Sequence, residues 1–377
     1  MNTNTDNMIN RILEPRIMAT LNKGKAIIIV GPRQVGKTTL IKSIIGKAAH
    51  LFLDADDPTV RNLLANVNTE QLKSIIGNNK IVFIDEAQRI ENIGLTLKII
   101  TDQFKDVQLL VSGSSAFELN NKINEPLTGR KWEYQLFPIS WKEFEDNIGF
   151  VKAAQQLEMR LIYGMYPDVI NNTGEAFEVL KQLANSYLYK DILAFSGIRK
   201  PAILEKLLQA IALQLGSEVS YNELAQLLGI DKNTVSNYID ILEQAFVIFK
   251  LKSFSRNLRN EIKTNQKIYF FDNGIRNMII GNFNTLELRQ DKGALWENFL
   301  ISERLKKNNY ENNLARPYFW RTVQQQEIDY VEEIAGKITG YEIKWNAKAK
   351  VKTHKIFSET YNASIEVLNS ENFRMFL

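Results

Sequence analysis

Ala26-Ile27-Ile28-Ile29-Val30-Gly31-Pro32-Arg33-Gln34-Val35-Gly36-Lys37-Thr38-Thr39 decides the fold. Its first five residues are apolar, mostly β-branched and turn-bounded, which predicts a buried strand over Ala26–Val30. The next eight match G-x-x-x-x-G-K-[ST] at every fixed position. Apolar residues at helical spacing then predict a helix over Thr38–Ile45. A strand, a glycine loop and a helix in that order form an anion cradle. The glycines let successive backbone N–H groups point at phosphate oxygens, and the helix N-terminus adds partial positive charge. Gly31, Pro32, Arg33, Gln34, Val35, Gly36, Lys37, Thr38 and Thr39 are therefore candidate nucleotide contacts. Lys37 is placed to reach the β- and γ-phosphates, and Thr38 to ligate Mg²⁺.

Working outward, Ile81-Val82-Phe83-Ile84-Asp85-Glu86 predicts a central strand with carboxylates at its tip. Beside a phosphate loop, Asp85 would hold Mg²⁺ through water and Glu86 would polarise the attacking water. The absence of a guanine-reading N-K-x-D favours ATP over GTP. The strand Gln108–Val111 leads into Ser112-Gly113-Ser114-Ser115, where Ser112 is a candidate γ-phosphate sensor. Arg130, after Gly129, is a candidate for stabilising phosphoryl transfer, in cis or from a neighbouring subunit. Strands at Leu51–Leu53, Ile81–Ile84 and Gln108–Val111, with a helix over Ile93–Phe104, predict an α/β parallel sheet covered on both faces.

Composition bounds the chemistry. The chain has 377 residues, 45% apolar and 24% charged, with a net charge of +4. That length suits two or three domains. There is no cysteine and there are two histidines, His50 and His354. Disulfide scaffolds, thiolate metal sites and cysteine nucleophiles are excluded, and His-rich sites are not expected. The N-terminus lacks the apolar core of a signal peptide, and no run approaches a membrane span. A cytoplasmic protein with no membrane partner is the expectation.

The motifs G-P-R-Q-V-G-K-T, F-I-D-E-A-Q-R-I, V-S-G-S-S, L-T-G-R and L-F-P-I-S-W-K-E-F resemble landmarks of prokaryotic AAA-type ATPases with a C-terminal domain of unknown function. Tyr163-Gly-Met-Tyr-Pro-Asp168 and Tyr189-Lys-Asp-Ile192 extend the resemblance almost end to end. It implies a P-loop NTPase core over residues 1–140, a helical lid over 141–200, a winged helix-turn-helix over 201–290 and a nuclease-like α/β domain over 291–377.

The residues themselves support the last two. Ser220-x-x-Glu223 has capping-box spacing. Helices over Tyr221–Leu228 and Lys232–Glu243 flank the turn Gly229-Ile230, and a strand over Phe246–Lys252 follows. On the second helix Lys232, Asn233, Thr234, Ser236, Asn237 and Tyr238 are expected outward, where they could meet DNA phosphates and base edges. Lys250, Lys252, Arg256, Arg259, Lys263 and Lys267 would form a basic wing, and weak specificity is expected. In the last segment Asp329 lies on the strand Glu327–Glu332, while Glu342 and Lys344 share a face of Ile338–Trp345. Two carboxylates and a lysine suit metal-dependent phosphodiester cleavage. The pattern resembles the PD-(D/E)XK nuclease fold, in which Glu297 matches an additional acid. Its proline is absent, since Ile328 precedes Asp329. His354 is expected at the surface.

The expected function is a Mg²⁺-dependent ATPase coupled to DNA binding and possible nucleic-acid cleavage. Its alternative is an ATP-driven regulatory switch with an inactive C-terminal binding domain. A homo-oligomer is compatible with either. A small-molecule kinase would need an acceptor pocket that no motif supplies.

Overall fold

The computed structural model describes residues 8–114, 123, 126–186, 200–255, 266–322, 324–349 and 354–377. They form two compact units, residues 1–139 with 244–246, and residues 140–243 with 247–377.

The first unit is built on five parallel strands: β1 (Ala26–Val30), β2 (Leu51–Asp54), β3 (Ile81–Asp85), β4 (Gln108–Gly113) and β5 (Lys131–Gln135). Their spatial order is β2-β3-β4-β1-β5. Every residue of β1 is fully buried, as a central strand packed on both faces requires. Each of its large side chains contributes about 1.5–3 kcal/mol of burial free energy. Because all five strands are parallel, the loops after β1, β3 and β4 leave from one end of the sheet. The helix Lys37–Ile45 starts from Gly36 in the left-handed region at φ 93° and buries Leu40, Ile41 and Ile45.

The strand β5 has no strong signal in sequence. Lys-Trp-Glu-Tyr-Gln is polar because β5 is an edge strand, paired only with β1, and most of it is exposed or half-buried. Edge strands tolerate charge that central strands do not.

The second unit holds a mixed seven-stranded sheet of β6 (Glu218–Val219), β7 (Ile248–Ser253), β8 (Gln266–Phe270), β9 (Arg316–Arg321), β10 (Glu327–Ile334), β11 (Lys337–Ile343) and β12 (Ser364–Leu368). The order is β12-β11-β10-β9-β7-β8-β6. The strands β7 and β8, expected as part of a wing, and the strands β9 to β12 share one sheet, joined where β7 runs parallel to β9. Residues 140–243 and 247–377, which take in the segments expected as 201–290 and 291–377 apart from 244–246, form one compact unit.

The helix Trp141–Ile148 opens with a reciprocal cap. Glu143 N donates to Ser140 Oγ at 3.2 Å and Ser140 N to Glu143 Oε2 at 2.8 Å. The segment Tyr163–Asp168 crosses Asp272-Asn273-Gly274 so closely that two glycines are needed. A Cβ on Gly164 would lie 2.0 Å from Asp272 Oδ1, and one on Gly274 would lie 2.1 Å from Tyr163 O. The helix Lys292–Tyr310 is buried around most of its circumference, and several of its polar side chains are hydrogen-bonded. Asn298 accepts from Phe270 N at 2.7 Å and donates to Asn273 Oδ1 at 2.6 Å. Among the described residues, no helix is long and apolar enough to cross a membrane.

Candidate nucleotide site and C-terminal carboxylate cluster

The loop Gly31–Gly36 leaves the end of β1 against the chain that follows β5. A Cβ on Gly31 would sit 2.0 Å from Leu136 O, so only glycine fits there. Arg11 braces the loop, donating to Val35 O and Phe137 O at 2.6 Å each. Sequence reading missed this residue. Its partners lie 24 and 126 positions away, and no local pattern announces such a contact. Lys37 Nζ folds back onto the loop, donating to Gly31 O at 2.9 Å and Pro32 O at 2.8 Å. Burial pushes the Lys37 ammonium down to about 8; Glu86 and Asp85 oppose this and Arg33 reinforces it. Gln34 and Thr39 are exposed, and Arg33 and Thr38 are half-buried.

Thr38 Oγ1 donates to Asp85 Oδ2 at 2.7 Å. The other Asp85 oxygen accepts from the Ser112 hydroxyl and from Glu86 N. Ser112 is fully buried, and its hydroxyl is engaged in orienting Asp85. Glu86 adopts a left-handed backbone at φ 51°. Its Oε2 accepts from Gln88 Nε2 at 2.6 Å and from Ser114 Oγ at 2.9 Å. Gln88 also donates to Ser114 Oγ at 2.7 Å, which closes a triangle. Burial alone would raise the Glu86 carboxyl. Lys37, the bonds from Gln88 and Ser114, and Arg33 outweigh it and hold Glu86 below its usual range. The site thus presents an ionised carboxylate beside a hydroxyl–carboxylate pair. Those oxygen donors fit a hard divalent cation, with Thr38 and Asp85 as its holders. Ser115 lies outside the described residues.

Arg130 does not join this set within the chain. Its carbonyl accepts from Ala26 N at 2.9 Å, at the start of β1, and its Nε donates to Asp102 at 2.7 Å. The phosphate loop leaves from the other end of β1, five residues away or about 16 Å at ~3.3 Å per residue.

The helices Tyr221–Leu228 and Lys232–Gln244 are joined through a turn with Gly229 left-handed at φ 63°. Asp231 caps the second helix, accepting from Thr234 N at 2.9 Å and Thr234 Oγ1 at 2.5 Å. Lys232, Asn233 and Asn237 are exposed, while Thr234 and Ser236 are half-buried. Tyr238, expected outward, is buried at 3% exposure; it falls on the core face with Val235, Ile239 and Leu242. Of the six basic residues expected on a wing, Lys250 and Lys267 are ion-paired. Lys250 pairs with Asp240 at 2.7 Å and Glu243 at 2.6 Å. Lys267 points inward, with a side chain 1% exposed. Lys252 is exposed, and Arg256, Arg259 and Lys263 lie outside the described residues.

In the C-terminal sheet, Asp329, Glu342 and Lys344 do converge. Lys344 Nζ lies 3.1 Å from Asp329 Oδ2 and 2.9 Å from Glu342 Oε2. Ile343 N also donates to Asp329 Oδ2 at 2.7 Å. His354 is a correction. It is buried, with Nε2 2.8 Å from Glu342 Oε1, because the start of the helix Lys355–Tyr361 carries it inward. Burial raises the Glu342 carboxyl and Asp329 adds to the rise, against Lys344 and His354. Glu297 takes a different set of partners. Tyr269 Oη donates to its Oε1 at 2.6 Å and Lys267 Nζ at 3.2 Å. Burial pushes Glu297 up to about 7, with Lys267 opposing and Asp329 adding. Lys267 also meets Glu327 at 2.5 Å. Among the described residues, no three His, Cys, Asp or Glu side chains are grouped as metal ligands. As arranged, this donor set does not fit a divalent ion.

Residues 23–145 match the family model of an AAA domain. Residues 154–286 match a domain of unknown function (DUF8612), and residues 292–373 match another (DUF4143). An uncharacterized protein of Mycobacterium tuberculosis is 29% identical over 334 residues, covering 87% of this chain and 72% of that protein. An uncharacterized protein of Methanocaldococcus jannaschii is 25% identical over 347 residues, covering 86% and 75%. Among solved structures, a Walker-type ATPase of Pyrococcus abyssi superposes with a TM-score of 0.51 at 15% identity, covering 74% of this chain and 98% of that one. That likeness is one of fold.

Proposed function

We propose that this chain is a Mg²⁺-dependent ATPase whose turnover is coupled to DNA held by its helix-turn-helix and C-terminal sheet. The observation that carries the ATPase reading is the pairing of Thr38 with Asp85 at 2.7 Å, beside a Glu86 held by Gln88 and Ser114. When bound, Mg²⁺ would neutralise charge on the β- and γ-phosphates. The chain's own residues do the rest. Backbone N–H groups of the Gly31–Gly36 loop cradle the phosphates, and Lys37 leaves the carbonyls of Gly31 and Pro32 to meet them. Ionised Glu86 accepts a hydrogen bond from the attacking water and takes its proton. Arg130 could contribute positive charge only from a neighbouring subunit, which would require a homo-oligomer.

The DNA reading rests on exposed Lys232, Asn233 and Asn237 on the second helix, with Lys252 nearby in sequence. One basic residue on that helix suits phosphate-dominated, weakly specific binding. The test is turnover of Mg²⁺-ATP by the full chain with and without duplex DNA. Stimulation that weakens with salt is expected. Glu86→Gln should keep ATP binding and lower turnover by about 10²–10⁴-fold; unchanged turnover would remove Glu86 as the base.

For the C-terminal cluster there are two readings. Cleavage would need a divalent ion at Asp329 and Glu342 with Lys344 beside it. The alternative is a regulatory switch with a non-cleaving C-terminal unit. The lysine buried against Glu297 and Glu327 favours the switch.

A further inference from the structure

Four carboxylates converge near the junction of β8, β10, β11 and the helix Lys292–Tyr310, and each meets a cation. Lys344 serves Asp329 and Glu342. Lys267 serves Glu297 and Glu327. Resting on the switch reading above, we propose that Lys267 is a built-in counter-cation that closes this cluster to divalent metal, so that the C-terminal unit is a non-cleaving module.

The register explains why Lys267 points inward. On β8, Lys267 and Tyr269 are two residues apart and share a face. Both reach the same oxygen of Glu297, at 3.2 Å and 2.6 Å. That oxygen already has two donors, and a metal would have to displace them. Lys267 cannot readily swing away. Its side chain is 1% exposed, its ammonium lies 5.5 Å from the Phe319 ring centroid, and its backbone is fixed between Leu251 on β7 and Glu218 on β6.

The charges argue the same way. Two ammonium groups supply the double positive charge that one divalent ion would bring. Hard ions need oxygens converging at about 2.0–2.6 Å on one point. Here the oxygens are drawn instead toward two separate nitrogens, while the remaining Glu342 oxygen lies 2.8 Å from His354 Nε2 without a hydrogen bond. A lysine this deeply buried is rare unless paired, and one partner of Lys267, Glu297, is the additional acid beside Asp329 and Glu342 that a metal there would draw on. Its strand belongs to the wing, so the part of the chain read as contacting DNA also holds the cluster shut.

The experiment is Mn²⁺ uptake by the nucleotide-free full chain, followed by the electron paramagnetic resonance signal of free Mn²⁺. The unmutated protein and Asp329→Ala should take up equally little. Lys267→Met should gain one site, at least about tenfold tighter than any in the unmutated protein. That site should disappear in Lys267→Met/Asp329→Ala. Mn²⁺ should raise the melting temperature of Lys267→Met alone. If Lys267→Met does not fold, Lys267→Met/Glu327→Gln removes one charge of each sign and carries the same readout. Asp329-dependent Mn²⁺ uptake by the unmutated chain would overturn the proposal. So would metal-dependent nicking lost in Asp329→Ala, or a folded Lys267 variant that gains no site. ATP turnover, measured on the same samples, tests the ATPase reading separately.

Discussion

On the proposed reading, Lys37 should make ATP binding depend on pH, and the size of the effect follows from its burial. In the nucleotide-free loop its ammonium is buried and held at about 8, with Glu86 and Asp85 raising it and Arg33 lowering it. Phosphates arriving beside it favour the charged form and restore a value at or above that of a free lysine. The bound state therefore holds more protons, so affinity must fall as pH rises through the lower value. At about pH 8.5 a group of pKa about 8 is roughly three-quarters deprotonated, so each ATP should take up about 0.75 proton. At about pH 6.5 uptake at this residue should be near zero. Between about pH 7 and pH 9 affinity should drop about tenfold, or ~1.4 kcal/mol. Calorimetric titration of ATP in two buffers of different ionisation enthalpy measures the proton directly. Lys37→Arg stays charged throughout and should abolish the uptake. Equal heats in both buffers at the higher pH, or equal affinities at the two ends, would refute the reasoning. Stability of the free protein has the opposite sign. The unfolded lysine holds its proton up to 10.5, so this residue's unfavourable contribution is relieved as pH rises from about 8.

Other consequences can be checked singly. Gln88→Ala removes the 2.6 Å bond that positions Glu86, so kcat should fall about ten- to a hundredfold with KM unchanged in steady-state assays. Gly31→Ala drives a Cβ to 2.0 Å from a backbone carbonyl; thermal unfolding should show a loss of about 1–3 kcal/mol or more, and nucleotide binding should be lost. Asp272→Ala leaves Ile275 N and the buried Met165 N without their acceptor, which should cost about 2–4 kcal/mol in urea denaturation.

Much of the nucleotide site was legible because its parts are local. The loop, the acids Asp85 and Glu86 and the serines at the end of β4 each follow an apolar run at a fixed offset, and parallel strands bring such tips to one end. Arg11 and the role of Gln88 were not legible, since one acts across more than a hundred residues and the other through a turn geometry. The strands β5 and β12 were missed because edge strands need not be apolar. In the C-terminal sheet, alternation correctly paired Glu342 with Lys344, while His354 and Lys267 were read as surface charge.

By itself, then, the sequence determined a parallel-sheet phosphate-binding unit, a helix-turn-helix and an acidic β-unit, because period and offset are properties of neighbours along the chain. The tertiary structure decided which charges meet. Sheet order joined the wing to the C-terminal strands and turned Lys267 from a wing residue into the partner of Glu297 and Glu327. It also put Arg130 at the far end of β1 from the phosphate loop. The physical reason is the same in both cases. A buried charge is set by whatever the fold packs against it, and strand pairing makes those partners with little regard to distance along the chain.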